Sequence, residues 1–144
     1  MGELHENIWS IQPLESVLIY SNGFTRKLPS VLAELKSLQN ITLFDNFFTG
    51  IIHRSWVLIA VWSKIDFTNN SFVGSIPSNI CSGKSLRVLD LGFNHLNGSI
   101  PSNVVGCPSL ERVILKDSNL SGAIPQFRNC ANLCYIDLSH NSFF

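Results

Sequence analysis

The sequence predicts an α/β, β-rich solenoid: a right-handed superhelix with a parallel sheet on its concave side and short helical or 3₁₀ segments on its convex side. The same pattern returns every 24 residues, apolar residues alternate early in each copy, and an Asn or Ser follows at a fixed distance. Units this short cannot bury an apolar face alone, so neighbouring copies must stack into one continuous core.

The repeats open at equivalent apolar residues: Leu14, Leu38, Trp62, Leu86 and Leu110, with Leu133 following after 23 residues. The 144-residue chain is therefore interpreted as one array, with a partial repeat at 1–13, repeats starting at 14, 38, 62, 86 and 110, and a partial repeat at 133–144. Because both ends fall inside a repeat, we expect an excised piece of a longer solenoid whose terminal coils expose apolar edges.

The first element of each repeat is a short strand of the form x-L-x-L-x. In Leu89-Asp90-Leu91 the two Leu side chains point inward and the residue between them points outward. Stacked copies predict a parallel sheet whose outward residues form columns.

A column of polar residues follows the strands: Asn22, Asn46, Asn70, Asn94, Ser118 and Asn141. A buried Asn there can bond backbone groups of its own and the adjoining coil, which would otherwise cost about 1–3 kcal/mol per unpaired group. Two positions later lies an apolar column: Phe24, Phe48, Phe72, Leu96, Leu120 and Phe143. We expect both columns to be scaffold.

The outer connections, such as residues 29–38, have apolar residues at helical or 3₁₀ spacing and are expected to close the convex side. The one residue missing between Pro125 and Leu133 falls in such a connection. A deletion is tolerated there, whereas inside a strand it would turn every following side chain to the other face.

The tail Leu-x-Gly-x-Ile-Pro, at residues 96–101 and 120–125, resembles the plant-specific class of extracellular leucine-rich repeat, over practically the whole chain. The resemblance implies a fragment of a receptor-like kinase ectodomain, a class that binds peptides, steroids or partner proteins outside the cell, with a co-receptor kinase as a further partner. Residues 73–81 and 108–115 are similar to receptors for endogenous elicitor peptides.

Several positions depart from the pattern. Arg26 stands in the Gly column, His5 and His53 replace Pro, and Val57, Leu58 and Val61 occupy convex positions that are polar in other repeats. Two interpretations stay open: a hydrophobic docking patch around Trp56, or relaxed selection on a truncated, non-functional gene copy.

Composition narrows the function classes. Ten basic and ten acidic residues leave no net charge, so the electrostatic footprint of a nucleic-acid or anionic-membrane binder is missing. The apolar run Trp56–Trp62 is far shorter than the roughly 20 residues of a membrane span, and the first residues lack the features of a secretory signal. We expect an extracellular position in a parent receptor, without membrane contact by this segment.

No catalytic residue, cofactor or metal is expected. Gly83-Lys84-Ser85 lacks the Gly that a phosphate-binding loop would need at position 78, and any kinase would lie in C-terminal sequence outside this chain. Cys81, Cys107, Cys130 and Cys134 are expected to be free thiols, with Cys107 and Cys130 stacked because both stand three residues before an opening Leu.

The outward strand positions are the candidates for ligand binding: Tyr20, Phe44, Thr42, Lys64, Asp66, Asp90, Arg112, Lys116, Tyr135 and Asp137. Tyr20 and Phe44 offer an apolar anchor, the cations can meet carboxylates of an extended peptide, and the Asp residues offer the opposite sign. Four N-x-[ST] sequons give glycosylation candidates at Asn40, Asn69, Asn97 and Asn119.

The function predicted from these features is non-catalytic recognition of a peptide or protein by a fragment of a plant cell-surface leucine-rich repeat receptor. The alternatives are a secreted inhibitor resembling polygalacturonase-inhibiting proteins, which share these repeats, and the non-functional truncated gene copy.

Overall fold

A computed structural model describes residues 2–59 and 61–144 of the chain, with Leu58 and Ile59 described by backbone alone. The chain winds as a solenoid in which each coil contributes one strand to each of two parallel sheets. The first sheet contains β1 (Ser16–Leu18), β3 (Asn40–Thr42), β5 (Lys64–Asp66), β7 (Val88–Asp90), β9 (Arg112–Ile114) and β11 (Tyr135–Asp137), in this order. The predicted columns are confirmed, because the strands pair in the register of the repeat, for example Ile65 with Leu89 and Leu89 with Val113.

The second sheet was not predicted. It contains β2 (Thr25–Lys27), β4 (Phe47–Ile51), β6 (Ser71–Ser75), β8 (His95–Gly98), β10 (Asn119–Gly122) and β12 (Ser142–Phe143), stacked in chain order. These strands occupy the stretch that follows the Asn column and carries the apolar column Phe24 to Phe143, to which no secondary structure was assigned from the sequence. Their Asn and Gly residues are depleted in strands generally, so the local composition concealed them.

The convex side carries short helices in some coils and turns in others. The helices are η1 (Glu6–Ser10) and η2 (Ser30–Glu34), both 3₁₀, and α1 (Arg54–Ile59) and α2 (Ser102–Val105), both α-helical. The segments after Pro77 and Pro125 form turns instead. Over the described residues, no helix has the length and apolar character that a bilayer span needs.

The core lies between the two sheets and the convex segments. Its centre consists of fully buried Leu, Ile and Phe side chains from successive coils, among them Leu43, Phe72, Leu91 and Leu115. Each such burial contributes roughly 1.5–3 kcal/mol, and no single coil could enclose these side chains without its neighbours.

The predicted ladder is formed by Asn46, Asn70, Asn94 and Asn141, each of which donates to the preceding coil. The prediction is wrong for Asn22, which is exposed, and for Ser118, whose Oγ has no partner among the described residues. The side-chain amide of Asn70 donates to the carbonyl oxygens of Leu43 (2.9 Å) and Phe67 (3.1 Å), and its Oδ1 accepts the backbone N–H of Phe48 at 3.0 Å. Asn94 repeats this arrangement one coil later, again donating to Phe67. Each Asn therefore ties its own strand to the coil before it.

A left-handed residue precedes every member of this column. Ser21, Asp45, Asn69, Phe93, Asp117 and His140 have φ between 50° and 57°. This turn redirects the chain from the first sheet toward the second. Arg26 has φ 80°, the conformation that Gly50, Gly74, Gly98 and Gly122 adopt at the equivalent position, so a non-glycine residue is held there at a cost of about 1–2 kcal/mol.

The two histidines that replace Pro cap the helices they precede. His5 Nδ1 accepts the backbone N–H of Asn7 at 3.3 Å, and His53 Nδ1 accepts that of Ser55 at 3.1 Å. Proline supplies a preset φ at this position, whereas an imidazole nitrogen satisfies a free N–H of the first turn. These two departures from the pattern therefore preserve the local structure.

The docking patch proposed around Trp56 is wrong. Trp56 and Val57 are only 4% and 3% exposed, because α1 turns both side chains into the core, and the indole N–H of Trp62 donates to the Trp56 carbonyl oxygen at 3.0 Å. Val61 is exposed, and the side chain of Leu58 lies outside the described residues. The apolar residues of this coil are therefore mainly core.

The expectation that all four cysteines are free is also wrong. Cys81 and Cys107 form a disulfide with their Cα atoms 6.0 Å apart, while among the described residues Cys130 is a buried free thiol and Cys134 an exposed one. Cys81 lies outside the column shared by Cys107 and Cys130. Column alignment did not reveal that the turns after Pro77 bring it against the next coil.

Candidate ligand-binding surface

The outward face of the first sheet presents the residues predicted to bind a ligand. Register places Asn40, Lys64, Val88 and Arg112 in one column and Thr42, Asp66, Asp90 and Ile114 in the next. The strands are spaced by about 4.8 Å, so the first coil, which carries Tyr20, and the sixth, which carries Tyr135, lie about 24 Å apart along the solenoid. A ligand that reaches both must be extended.

An aromatic pair occupies the first two coils. The rings of Tyr20 and Phe44 stack at a centroid distance of 4.6 Å and an interplanar angle of 9°. Tyr20 is 45% exposed and Phe44 is half-buried, so the pair has a rigid, accessible apolar face. Such a face can anchor an apolar side chain at low entropic cost.

Two carboxylates stand side by side on the next two coils. Asp66 and Asp90 are register partners, and the Thr68 hydroxyl oxygen lies 2.8 Å from Asp66 Oδ1 and 2.6 Å from Asp90 Oδ1. Burial raises the pKa of Asp90 and the charge of Asp66 raises it further, while the hydrogen bond from Thr68 opposes both. One hydroxyl proton cannot serve two ionised carboxylates, so a cation bound here would relieve their repulsion.

Two cationic groups, Arg112 and Lys116, lie on the fifth coil. The Arg112 guanidinium lies 4.6 Å from the centroid of the Tyr135 ring, and Lys116 Nζ lies 5.1 Å from that of Phe93. Both rings hold a positive charge at the surface. Lys116 Nζ also lies 3.7 Å from Asp117 Oδ2, so its charge is partly compensated. Hydrogen bonds from the hydroxyl and backbone N–H of Ser139 lower the pKa of Asp137, which therefore stays ionised beside them.

The structure brings most of the predicted residues together as three zones, aromatic, acidic and basic, in order along the solenoid. Lys64 lies at the acidic zone, with Nζ 3.9 Å from Asp66 Oδ2. The prediction that Thr42 is available to a ligand is wrong. Thr42 lies in the outward column but is only 5% exposed, because its short side chain stands between Leu18 and Asp66 on the adjacent strands.

Sequence reasoning missed an ion pair at the edge of this surface. Arg87 and Glu111 meet through two contacts, Nε to Oε1 at 2.9 Å and Nη2 to Oε2 at 3.0 Å. The guanidinium lowers the pKa of Glu111. The signal was present, because opposite charges 24 residues apart in a 24-residue repeat must be neighbours.

The sequons lie on both sheets. Asn40 lies within β3 of the first sheet, and Asn69 in the turn that follows β5. Asn97 and Asn119 lie on β8 and β10 of the second sheet.

Residues 85–107 match the Leucine Rich Repeat family. The solved PEPR1–AtPEP1 complex is 39% identical with a TM-score of 0.94, and the match covers 99% of this chain and 20% of that one. The plant peptide hormone receptor RGFR1 in complex with RGF2 is 32% identical with a TM-score of 0.93, and the match covers 98% of this chain and 23% of that one. The BIR3–SERK2 complex from Arabidopsis thaliana is 31% identical with a TM-score of 0.78, and the match covers 92% of this chain and 70% of that one. No curated protein matches the sequence.

The chain belongs to the leucine-rich repeat ectodomains of plant receptors. It spans about a fifth of the length of the PEPR1 and RGFR1 chains that it matches. These similarities and the observed topology confirm the predicted family, a plant leucine-rich repeat ectodomain, and the predicted fold, a solenoid with a parallel concave sheet.

Proposed function

We propose that the chain is a non-catalytic recognition segment that binds an extended peptide, or an extended segment of a protein, along its concave sheet on the extracellular side of the plasma membrane. The observation that carries the proposal is the ordered sequence of aromatic, acidic and basic zones on one continuous face. Similarity to PEPR1, which was solved with AtPEP1, and to the plant peptide hormone receptor RGFR1, which was solved with RGF2, supports the same conclusion.

The spacing of the zones defines the ligand chemistry. The centre of the acidic zone lies two strand spacings from that of the aromatic zone, and the two zones are also offset by two residues along the strand, so their centres are about 12 Å apart. Arg112 is offset by two residues more and lies about 10 Å beyond the acidic zone. An extended peptide advances about 3.3 Å per residue. The complementary ligand therefore carries an apolar residue, a basic residue about four positions along, and an acidic residue about three positions beyond the basic one.

Synthetic peptides test this order. We expect a fluorescent peptide with the complementary order to bind the secreted 144-residue chain, and a peptide of identical composition with its basic and acidic residues exchanged to bind at least tenfold more weakly, by fluorescence anisotropy. AtPEP1 serves as a second probe because of the similarity to PEPR1. Equal binding of the two matched peptides would contradict the assignment of the zones.

Variants locate the contact. Tyr20→Ala removes the stacked face and Asp66→Asn removes one charge, and each is expected to weaken binding of the complementary peptide more than fivefold, the equivalent of about 1 kcal/mol. Lys36→Ala, an exposed substitution outside the first sheet, is the matched control and should leave the affinity unchanged. A loss of equal size in the control would place binding elsewhere.

A further inference from the structure

We propose that Asn97 and Asn119 carry N-linked glycans, and that these glycans close the C-terminal half of the outer face of the second sheet to protein partners. The inference rests on the extracellular placement stated in the proposed function, but not on ligand binding. Its physical basis is the different surroundings of the four sequon asparagines.

Asn97 and Asn119 are neighbours on this face. They are register partners in β8 and β10, and both are exposed. Within residues 2–59 and 61–144, neither side-chain amide takes part in a hydrogen bond, whereas the other two sequon asparagines both do. A sugar on either nitrogen therefore displaces no contact of the fold.

The sequon hydroxyls complete both sites. Ser99 is exposed and Ser121 is half-buried at the surface of β10. The transfer forms a bond between the anomeric carbon of the sugar and the Asn Nδ2, breaks the bond from that carbon to the phosphate of a lipid pyrophosphate oligosaccharide, and releases one amide proton. The host transferase and its lipid-linked donor supply the remaining components.

The other two sequon asparagines have side chains engaged across coils. The Asn40 amide donates to Ser16 Oγ at 3.1 Å within the concave sheet, and the Asn69 amide donates to Asp45 Oδ1 at 2.8 Å. A sugar on Asn40 would stand over the first sheet. A sugar on Asn69 would be attached to a residue in a left-handed turn, next to the buried ladder residue Asn70.

The outer face of the second sheet is consequently divided. Its N-terminal half exposes Phe47 and Ile51 of β4, at 56% and 53%, and no sequon Asn lies on β2, β4 or β6. Its C-terminal half has His95, Asn97 and Asn119 exposed. A core glycan is wider than the strand spacing of about 4.8 Å, so two glycans on adjacent coils cover this half and leave the apolar half bare.

The test is site-resolved glycan occupancy. The full chain is expressed behind a secretion leader in insect cells, and enzymatic deglycosylation in heavy-oxygen water marks each formerly glycosylated Asn for mass spectrometry. We expect marks at Asn97 and Asn119 in most molecules, and marks at Asn40 and Asn69 in few. The chain is recovered from cell membranes as well as from the medium, so poor secretion does not hide the result.

Matched variants assign the signal. Ser99→Ala and Ser121→Ala should each remove one glycan while the Asn remains, and Ser99→Thr and Ser121→Thr should retain both. Bare Asn97 and Asn119 on a secreted chain would overturn the inference and leave the proposed function standing. Glycans at Asn97 and Asn119 on a chain that binds none of the peptides would support the inference and contradict the proposed function. A higher occupancy at Asn40 than at Asn97 would contradict the inference, because the Asn40 side chain is engaged in the sheet.

Discussion

The central coils of the solenoid differ from the coils on either side of them. In the centre, Asn46, Asn70 and Asn94 are buried and each bonds backbone groups on two coils. On the N-terminal side Arg26 occupies a glycine conformation, and on the C-terminal side the buried Oγ of Ser118 has no partner among the described residues. The difference shows that one repeat pattern can be satisfied in some coils and strained in others without a change of fold.

The largest effect is expected from breaking the ladder where it is complete. Asn70→Ala removes the acceptor for the Phe48 N–H and the donor to two carbonyl oxygens, so we expect the free energy of unfolding to fall by about 3 kcal/mol. Urea denaturation measures the loss. Asn22→Ala is the control, because Asn22 is exposed and its amide donates only to the Tyr20 carbonyl; losses of equal size would contradict the ladder.

Repairing the incomplete rung should have the opposite sign. Asn46, Asn70 and Asn94 each accept the N–H of the residue 22 positions earlier, so Asn at 118 would reach the N–H of Leu96. We expect Ser118→Asn to raise the free energy of unfolding by about 1.5 kcal/mol, measured by urea denaturation. Ser118→Ala should give no such gain. A destabilised Asn variant would show that this rung has closed around the smaller side chain.

Substitutions at the left-handed position of the Arg26 coil should change the free energy of unfolding less, by up to about 1 kcal/mol. Arg26→Gly relieves the positive φ and should raise the melting temperature, although it also removes the exposed ion pair with Glu3. Gly122→Ala places a side chain at the same left-handed conformation in a coil that has glycine there, and it should lower the melting temperature. Arg26→Ala keeps the strain and should give no gain; if it stabilised as much as Arg26→Gly, the guanidinium and not the backbone would be responsible.

The smallest effects concern two carboxylates of the concave face. The raised pKa of Asp90 means that the folded protein disfavours its ionised form, so Asp90→Asn should raise the melting temperature at about pH 7. That gain should shrink as the pH falls through the raised pKa. The lowered pKa of Asp137 has the opposite sign: Asp137→Asn should lower the melting temperature at neutral pH, with the difference vanishing in acid. Parallel profiles for both variants would contradict the assignment.

Much of the candidate surface could be predicted from the sequence. Because the period is constant, residues 24 apart must be neighbours, and this relation correctly placed Tyr20 beside Phe44 and Asp66 beside Asp90. It could not predict that Thr42 would be covered, since burial depends on the size of the side chains on both adjacent strands.

Other features depended on packing between elements. The second sheet has strands whose Asn and Gly residues give no strand signal and which form only because stacked coils present backbone groups to one another. The Cys81–Cys107 disulfide and the inward position of Trp56 depend on how turns and short helices pack on the convex side.

The sequence alone determined the repeat, the register of the first sheet and the identity of the scaffold columns, because a strict period converts sequence distance into spatial distance. Only the tertiary structure decided which outward residues reach solvent, which cysteines pair and where a second sheet forms. The period says which residues are neighbours but does not specify side-chain volume, backbone hydrogen bonding between coils or the path of the irregular convex segments, and these three properties decide the outcome.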